Sequence, residues 1–536
     1  MSESHAAAVG GSVRLLGVLL LALAAPLGAW AQSPQKTLKI VPLNDLRVID
    51  PHINANPVLR LHALAVYDTL MAWDSELKIK PQMVETYEVS ADKITYSFVL
   101  RPGLKFQDGQ TVTSRDIVPS MRRWLARDTF GTKMSKFVAA IEATGERTFK
   151  IVLNEPFAYV EFALGSAAGM IPVVMREQDT KIDPAVGLTE AIGSGPFVFQ
   201  RSEWSPGAKI VYTRNPAYVP RNEPPDGHTG GKVVKIDRLE LVVIPDANTA
   251  AAAVAAGEID FWDGAPIDLL PVLAKSKDVA IERLQPWGNF AGVRPNALFP
   301  PFNNPKARQA LALAFDQADF MRAAIGDEKW WKPCYAFYLC GGPFGTEVGS
   351  EAYRKPDLDK ARQLLAESGY KGEKVVLMST PEISVISAMG QVAQQRMQAI
   401  GMNVDLQLND FATILVRQTK KDAPGPGSPG WNVLVTYFNG VVNHHPLTNI
   451  ATNMACDGSN WAGWPCDEEA ERLRDRLVRA SEPEARKAAL EAFQRRLWET
   501  IPLVLAGQFE QPAVWRRNVT GLVKASTPVF WNVTKN

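Results

Sequence analysis

With four cysteines in 536 residues and none in a CxxC spacing, the chain lacks the ligand pattern of a structural zinc site and of a dithiol redox motif. An excess of charge is missing too. The balance of 58 Lys+Arg against 57 Asp+Glu leaves a formal net charge of +1, which excludes an electrostatic case for nucleic acid or an anionic membrane surface. Only residues 12–27 contain a long apolar run, and that run is short for a membrane span. Catalytic signatures are absent: there is no HExxH, G-x-S-x-G, P-loop or cysteine-nucleophile motif, and Gly193-Ser194-Gly195 lacks the elbow pattern of a serine nucleophile. The sequence therefore predicts a protein that is not an enzyme and carries no cofactor. What it does have is core, since 46% of its residues are hydrophobic, enough for two or three folded domains.

The early apolar run follows Arg14 and ends near Ala29-Trp30-Ala31, which puts small residues at both positions read by a signal peptidase. Residues 1–31 are predicted to be a signal peptide cleaved before Gln32. No cysteine stands there for lipid attachment, so the expected product is soluble in the bacterial periplasm. All four cysteines follow the cut, in an oxidising compartment that favours disulfides. Four cysteines allow three connectivities; the local pairs, Cys334 with Cys340 and Cys456 with Cys466, are favoured.

Residues 431–467 are the stretch around which the chain is organised. Residues 431–438, Trp-Asn-Val-Leu-Val-Thr-Tyr-Phe, have strand-forming side chains without strict alternation, which predicts a strand buried on both faces. It stops at Asn439-Gly440. The segment that follows is too aromatic for a solvated linker and too broken for a helix, so it reads as the wall of a binding site. Elsewhere residues 94–100 and 148–153 alternate as strands of a smaller α+β unit. Residues 233–261 read strand, helix, strand, and residues 374–408 do the same, which is α/β arithmetic. Residues 285–288 should leave one lobe for the next, and residues 501–504 should pass back. Pro119, beyond the first turn of a helix capped by Thr113 and Asp116, predicts a bent or late-starting helix.

Five ordered motifs then point one way. They are Arg101-Pro102-Gly103 through the Asp108-Gly109 turn to Asp116, Gly193-Ser194-Gly195-Pro196-Phe197, Asn215-Pro216-Ala217-Tyr218, the Ala-Ala-Gly-Glu-Ile-Asp run at residues 255–260, and residues 301–315. In these the sequence resembles the extracellular solute-binding proteins of family 5, receptors of dipeptide, oligopeptide and nickel ABC importers. The resemblance implies an α/β fold of two lobes joined by a hinge, with an additional smaller α+β domain. Residues 32–77 and 192–285 would form lobe I, residues 78–191 the extra domain, residues 286–508 lobe II, and residues 509–536 the return to lobe I. It implies a monomer that captures a small solute and hands it to an ABC permease with its ATPase subunits.

In dipeptide receptors of this family an aspartate after the strand equivalent to residues 431–438 holds the ligand's ammonium, and an arginine after the strand equivalent to residues 375–378 holds its carboxylate. Here residues 439–445 contain no acid, and residues 379–383, Ser-Thr-Pro-Glu-Ile, contain no arginine. The expected ligand residues are therefore aromatic or neutral: Trp287, Phe438, Asn439, Asn443, His445, Asn460, Trp461 and Trp464. Such a set suits an oligopeptide held through its backbone. An oligosaccharide or a nickel chelate is the alternative, and an exported hydrolase a further one. Adjacent histidines in a strand point to opposite faces, so His444 and His445 are not expected to share a metal.

Overall fold

The computed structural model describes residues 35–183, 186–285 and 287–536. The export segment expected at residues 1–31 lies outside them. Two mixed sheets organise the rest. The first is built on Thr37–Val41, which runs parallel to Arg238–Val242 on one side and to Phe261–Trp262 on the other. Antiparallel strands extend both edges: Lys209–Arg214 and Phe197–Phe199 one way, Ala513–Arg516 and Val279–Glu282 the other. The crossover between two strands of like direction needs a long connection. Here the Ala247–Ala256 helix supplies it, started by the Asp246 side chain and closed by Gly257 at φ 83°, a left-handed conformation that glycine adopts without Cβ strain.

In the second sheet Asn289–Pro295 lies between Val433–Asn439 and Val504–Phe509, antiparallel to both. Val433–Asn439 is also parallel to Lys374–Ser379, which pairs in turn with Asn403–Leu408 through the Ser384–Ala399 helix. The central strand starts at Val433, two residues later than the sequence predicts. Asn432 is the reason: its Oδ1 accepts from the Val376 amide at 2.8 Å and its Nδ2 donates to the Pro300 carbonyl at 3.1 Å, so its side chain joins the neighbouring segments.

The expected return at residues 501–504 is corrected by the structure. Leu503, Val504, Leu505 and Ala506 are buried apolar residues and stay with the second sheet; exposing them in a crossing would forfeit that burial. The chain passes between the two sheets at residues 283–288 and again at 510–512.

A third sheet of four antiparallel strands holds Val84–Val89, Thr95–Leu100, Thr148–Leu153 and Val138–Ala143. Its alternation is clean, with Tyr96, Phe98, Leu100, Phe149, Ile151 and Leu153 all buried. The accompanying helix, Ser114–Arg127, begins where Thr113 and Asp116 cap each other and continues through Pro119. It does not start late. Pro119 costs it one amide donor, while the Ser120 hydroxyl adds a 2.6 Å bond to the Asp116 carbonyl. From the same helix, Arg123 reaches Asp50 with two bonds of 2.9 and 2.7 Å, both partners buried.

The motifs that carried the resemblance serve as joints. A Cβ on Gly193 would stand 2.1 Å from the Val66 carbonyl oxygen, and one on Gly195 2.6 Å from that of Tyr67, so only glycine fits this approach. Asn215 Nδ2 donates to the Gly195 carbonyl at 2.8 Å. The Tyr218 hydroxyl and the Lys232 ammonium meet on Asp68 at 2.9 and 2.8 Å.

Candidate functional site

The central strand and its parallel neighbour bring their side chains to one cavity of about 190 Å³. Ser379 and Thr380 stand at its edge where Lys374–Ser379 ends, and Thr436, Tyr437 and Phe438 line it from Val433–Asn439. Phe411 and Ile414 enter from the Phe411–Arg417 helix, and Trp461 from the Cys456–Cys466 loop. No lining side chain is charged. The polar groups are neutral donors and acceptors, among which the Tyr437 hydroxyl and the Gln418 amide make no hydrogen bond within the described residues. Burial raises the Tyr437 pKa, so the hydroxyl remains a donor at physiological pH.

One wall is an aromatic stack. Phe438 lies over Phe290 at 5.0 Å between centroids and 21° between planes, and meets Trp461 edge-on at 5.3 Å and 74°. Such offset and edge contacts are the favoured aromatic geometries.

Of the side chains expected from sequence, Phe438 and Trp461 reach this cavity together. The others sit elsewhere. Asn439 caps a short helix, Gly440–Asn443, by accepting from the Val442 amide at 3.2 Å. Asn443 donates to the Asn439 carbonyl at 3.1 Å and accepts from the Ile450 amide at 3.2 Å. Asn460 donates to the Pro465 carbonyl at 2.6 Å. Trp464 is buried beside Trp431, 6.2 Å between centroids, with the Lys421 ammonium 5.2 Å from its ring. Trp287 is half-buried at the crossing, its indole N–H enclosed without a partner.

His444 and His445 follow the Gly440–Asn443 helix rather than extending a strand, so strand alternation does not govern them. His444 meets Trp73 edge-on at 5.1 Å. His445 is enclosed by Phe130, Tyr159, Phe162 and Phe344, stacked on Phe162 at 4.2 Å, and its Nδ1 accepts from the Leu447 amide at 3.1 Å. Burial lowers the His444 pKa to about 4 and that of His445 well below the ordinary value; both rings are neutral. These histidines bind the 440–447 segment to aromatic side chains of residues 73–162. Both disulfides form, Cys334 to Cys340 and Cys456 to Cys466, with Cα separations of 5.8 and 4.6 Å.

Ile386, Phe411, Ile414, Gln418 and Tyr437 were not anticipated as lining residues. Their types are those of any core, and they come from three separate segments, so nothing in the local sequence brings them together.

Comparison with known proteins agrees with this architecture. Residues 78–431 match the family described as bacterial extracellular solute-binding proteins, family 5, middle. The probable peptide ABC transporter periplasmic-binding protein y4tO of Sinorhizobium fredii is 37% identical over 512 residues, covering 94% of each chain. Among solved structures, the periplasmic binding protein AgaA of A. tumefaciens R10, in complex with agropinic acid, superposes with a TM-score of 0.75 at 24% identity, over 93% of this chain and 99% of that one. The oligopeptide-binding protein AppA of Bacillus subtilis, in complex with a nonapeptide, gives 0.75 at 18% identity, over 94% and 100%. The two large sheets and their two crossings are thus the two-lobed α/β fold of periplasmic binding proteins.

Proposed function

We infer, from the fact that this chain belongs to family 5 of the bacterial extracellular solute-binding proteins, that it is the periplasmic receptor of an ABC importer whose solute is oligopeptide-like. It acts as a monomer, encloses the solute between its lobes, and passes it to a membrane permease driven by a cytoplasmic ATPase. Export by the N-terminal segment belongs to the same reading. The relative sharing 37% of its residues is described as a probable peptide receptor, which supports the solute class.

The observation that carries the reading is the uncharged cavity beside the central strand. It offers an aromatic wall, apolar surface from Phe411 and Ile414, and neutral hydrogen-bonding groups at Ser379, Tyr437 and Gln418. That combination takes an apolar side chain and the amides of a peptide backbone, and gives a free carboxylate no partner. Lobe closure removes water from these bonds and strengthens them. The protein holds its solute and does not transform it.

Native mass spectrometry of the mature protein, followed by denaturation and identification of what is released, tests this. Peptides recovered intact are the expected result. A sugar or a nickel complex would overturn the solute class, and a cleaved product would overturn the receptor reading.

A further inference from the structure

Away from the two crossings, the lobes meet around one buried histidine. Residues 440–447 leave the central strand of the second sheet and lie against the helices beside the third. Phe438 and Ile450, which both line the uncharged cavity, bracket them, and Asn443 Oδ1 accepts from the Ile450 amide at 3.2 Å. His445 is wholly buried. Its ring stacks on Phe162 at 4.2 Å and 25°, and meets Tyr159 edge-on at 4.5 Å and 89°. Phe162 in turn contacts Trp73 at 5.3 Å, and Trp73 belongs to the core of the first sheet. Exposed ion pairs stand at the edge of the same contact, Lys93 with Glu482 at 2.9 Å and Arg479 with Glu155 at 2.6 Å. Such pairs are screened by water and hold little, so the enclosed ring carries the contact.

The geometry admits only a neutral ring. His445 Nδ1 accepts from the Leu447 amide at 3.1 Å, so the one proton is on Nε2, which is enclosed with no partner among the described residues. A second proton would set N–H against N–H at Nδ1 and leave a buried cation without an acceptor. The charges that bear on the ring are positive. Lys133, on the Thr129–Ser135 helix, donates to the Leu447 carbonyl at 3.0 Å, and the Arg486 guanidinium lies 5.5 Å from the Tyr159 ring. The carboxylates of the surrounding elements are engaged elsewhere: Glu471 with Arg474, Glu347 with Arg354 and the Tyr335 amide. Glu161 bears on Tyr87 and Tyr96, and Asp475 on Lys133 and Arg479. Burial, with His444, Lys133 and Arg486, pushes the His445 pKa well below its ordinary value. Lys133, lowered by burial to about 8, stays charged below pH 7 and does not itself switch there.

We propose that residues 440–447 are an acid-released latch: they hold the lobes shut while His445 is neutral, and protonation of that ring parts them. In water a histidine takes up its proton near 6.5. A ring that can be protonated only after leaving its enclosure binds protons more readily in the parted state, so falling pH favours parting. His444, edge-on to Trp73 and neutral in the same enclosure, acts in the same direction. The consequence is a receptor whose closed state weakens in acid. The inference goes beyond the solute reading and does not depend on the solute's class.

The test needs no solute. The mature protein is followed from pH 7 to pH 5 by small-angle X-ray scattering and its histidine rings by NMR after ¹³C labelling, with circular dichroism reporting that the chain stays folded. Expected is a radius of gyration that rises with a midpoint between about 5 and 6.5, and protonation of His445 over the same interval. Two variants separate charge from packing: His445→Gln keeps an acceptor for the Leu447 amide, and His445→Phe keeps the ring contacts. In at least one of them the midpoint should fall by about half a pH unit or more, or parting should vanish. Four results overturn the latch: His445 protonated with the lobes still shut, lobes that part while His445 stays neutral, ring and lobes both unchanged down to pH 5, and parting of both variants at the parent's pH or higher.

Discussion

The guanidinium of Arg294 sits 5.3 Å from the centroid of the Trp461 ring, and it is also the clasp that holds the segments behind that ring. Its nitrogens donate to the carbonyls of Ala451, Pro502 and Ala462 at 2.7, 2.8 and 2.9 Å. Arg294 is wholly buried and lowered in pKa to about 9 by that burial, with Arg308 adding to the effect. Replacing it by methionine fills much of the space but leaves three enclosed carbonyls without donors. Urea unfolding of Arg294→Met should show a loss of about 3 kcal/mol or more; a loss under 1 kcal/mol, roughly one ordinary hydrogen bond, would show that the clasp is dispensable.

Trp461 tests the wall itself. Its ring touches Phe438 and the cavity, whereas its main-chain carbonyl is near Arg294 Nη2 at 3.4 Å and survives substitution. Trp461→Ala should therefore weaken binding of the peptide recovered from the native protein by about 1 kcal/mol, measured by calorimetry. Unchanged affinity would mean that the solute lies elsewhere in the cleft.

Much of the fold could be read in the sequence because its signals are local. Asp246 and Gly257 bracket a helix, and Phe149, Ile151 and Leu153 alternate; Gly193 and Gly195 are legible as a motif, but their close approach to Val66–Tyr67 is not. The site was less legible. Trp461 stood out as an aromatic in a polar disulfide loop, but Trp464 stands in the same loop and is buried beside Trp431, while Asn460 bonds within it. Which of two tryptophans three residues apart faces the cavity depends on Gly463, φ 94°, and on the Arg294 clasp, neither of which shows as a periodicity.

Where the chain enters the second sheet, two glycines are in contact. The Gly440 amide donates to the Gly288 carbonyl at 2.9 Å, and a Cβ on Gly440 would fall 2.6 Å from both that oxygen and the Trp287 oxygen. Both obstacles are backbone, which cannot rotate aside. Gly440→Ala should cost about 1–3 kcal/mol in stability and, by displacing residues 287–288, should slow solute-induced closure followed by tryptophan fluorescence. An unchanged closure rate with normal stability would show that this contact is not part of the hinge.

Five of the six histidines lie among the described residues, and all five are buried. Desolvation holds His52, His228 and His444 at about 4, His62 at about 3, and His445 well below the ordinary value. In the unfolded chain each titrates near 6.5. Below that pH the unfolded chain takes up protons that the folded chain refuses, so stability falls as the pH drops from about 6.5 towards 4. Asp263 opposes this, because its raised pKa adds stability that is lost as pH rises through about 7. With five groups of one sign, the histidines set the direction. His445→Gln keeps an acceptor for the Leu447 amide and removes one titration. Unfolding free energies measured at pH 6 and 5 should then differ less than in the parent by about 1 kcal/mol. If the variant keeps the parent's full acid sensitivity, His445 is not held neutral in its aromatic enclosure.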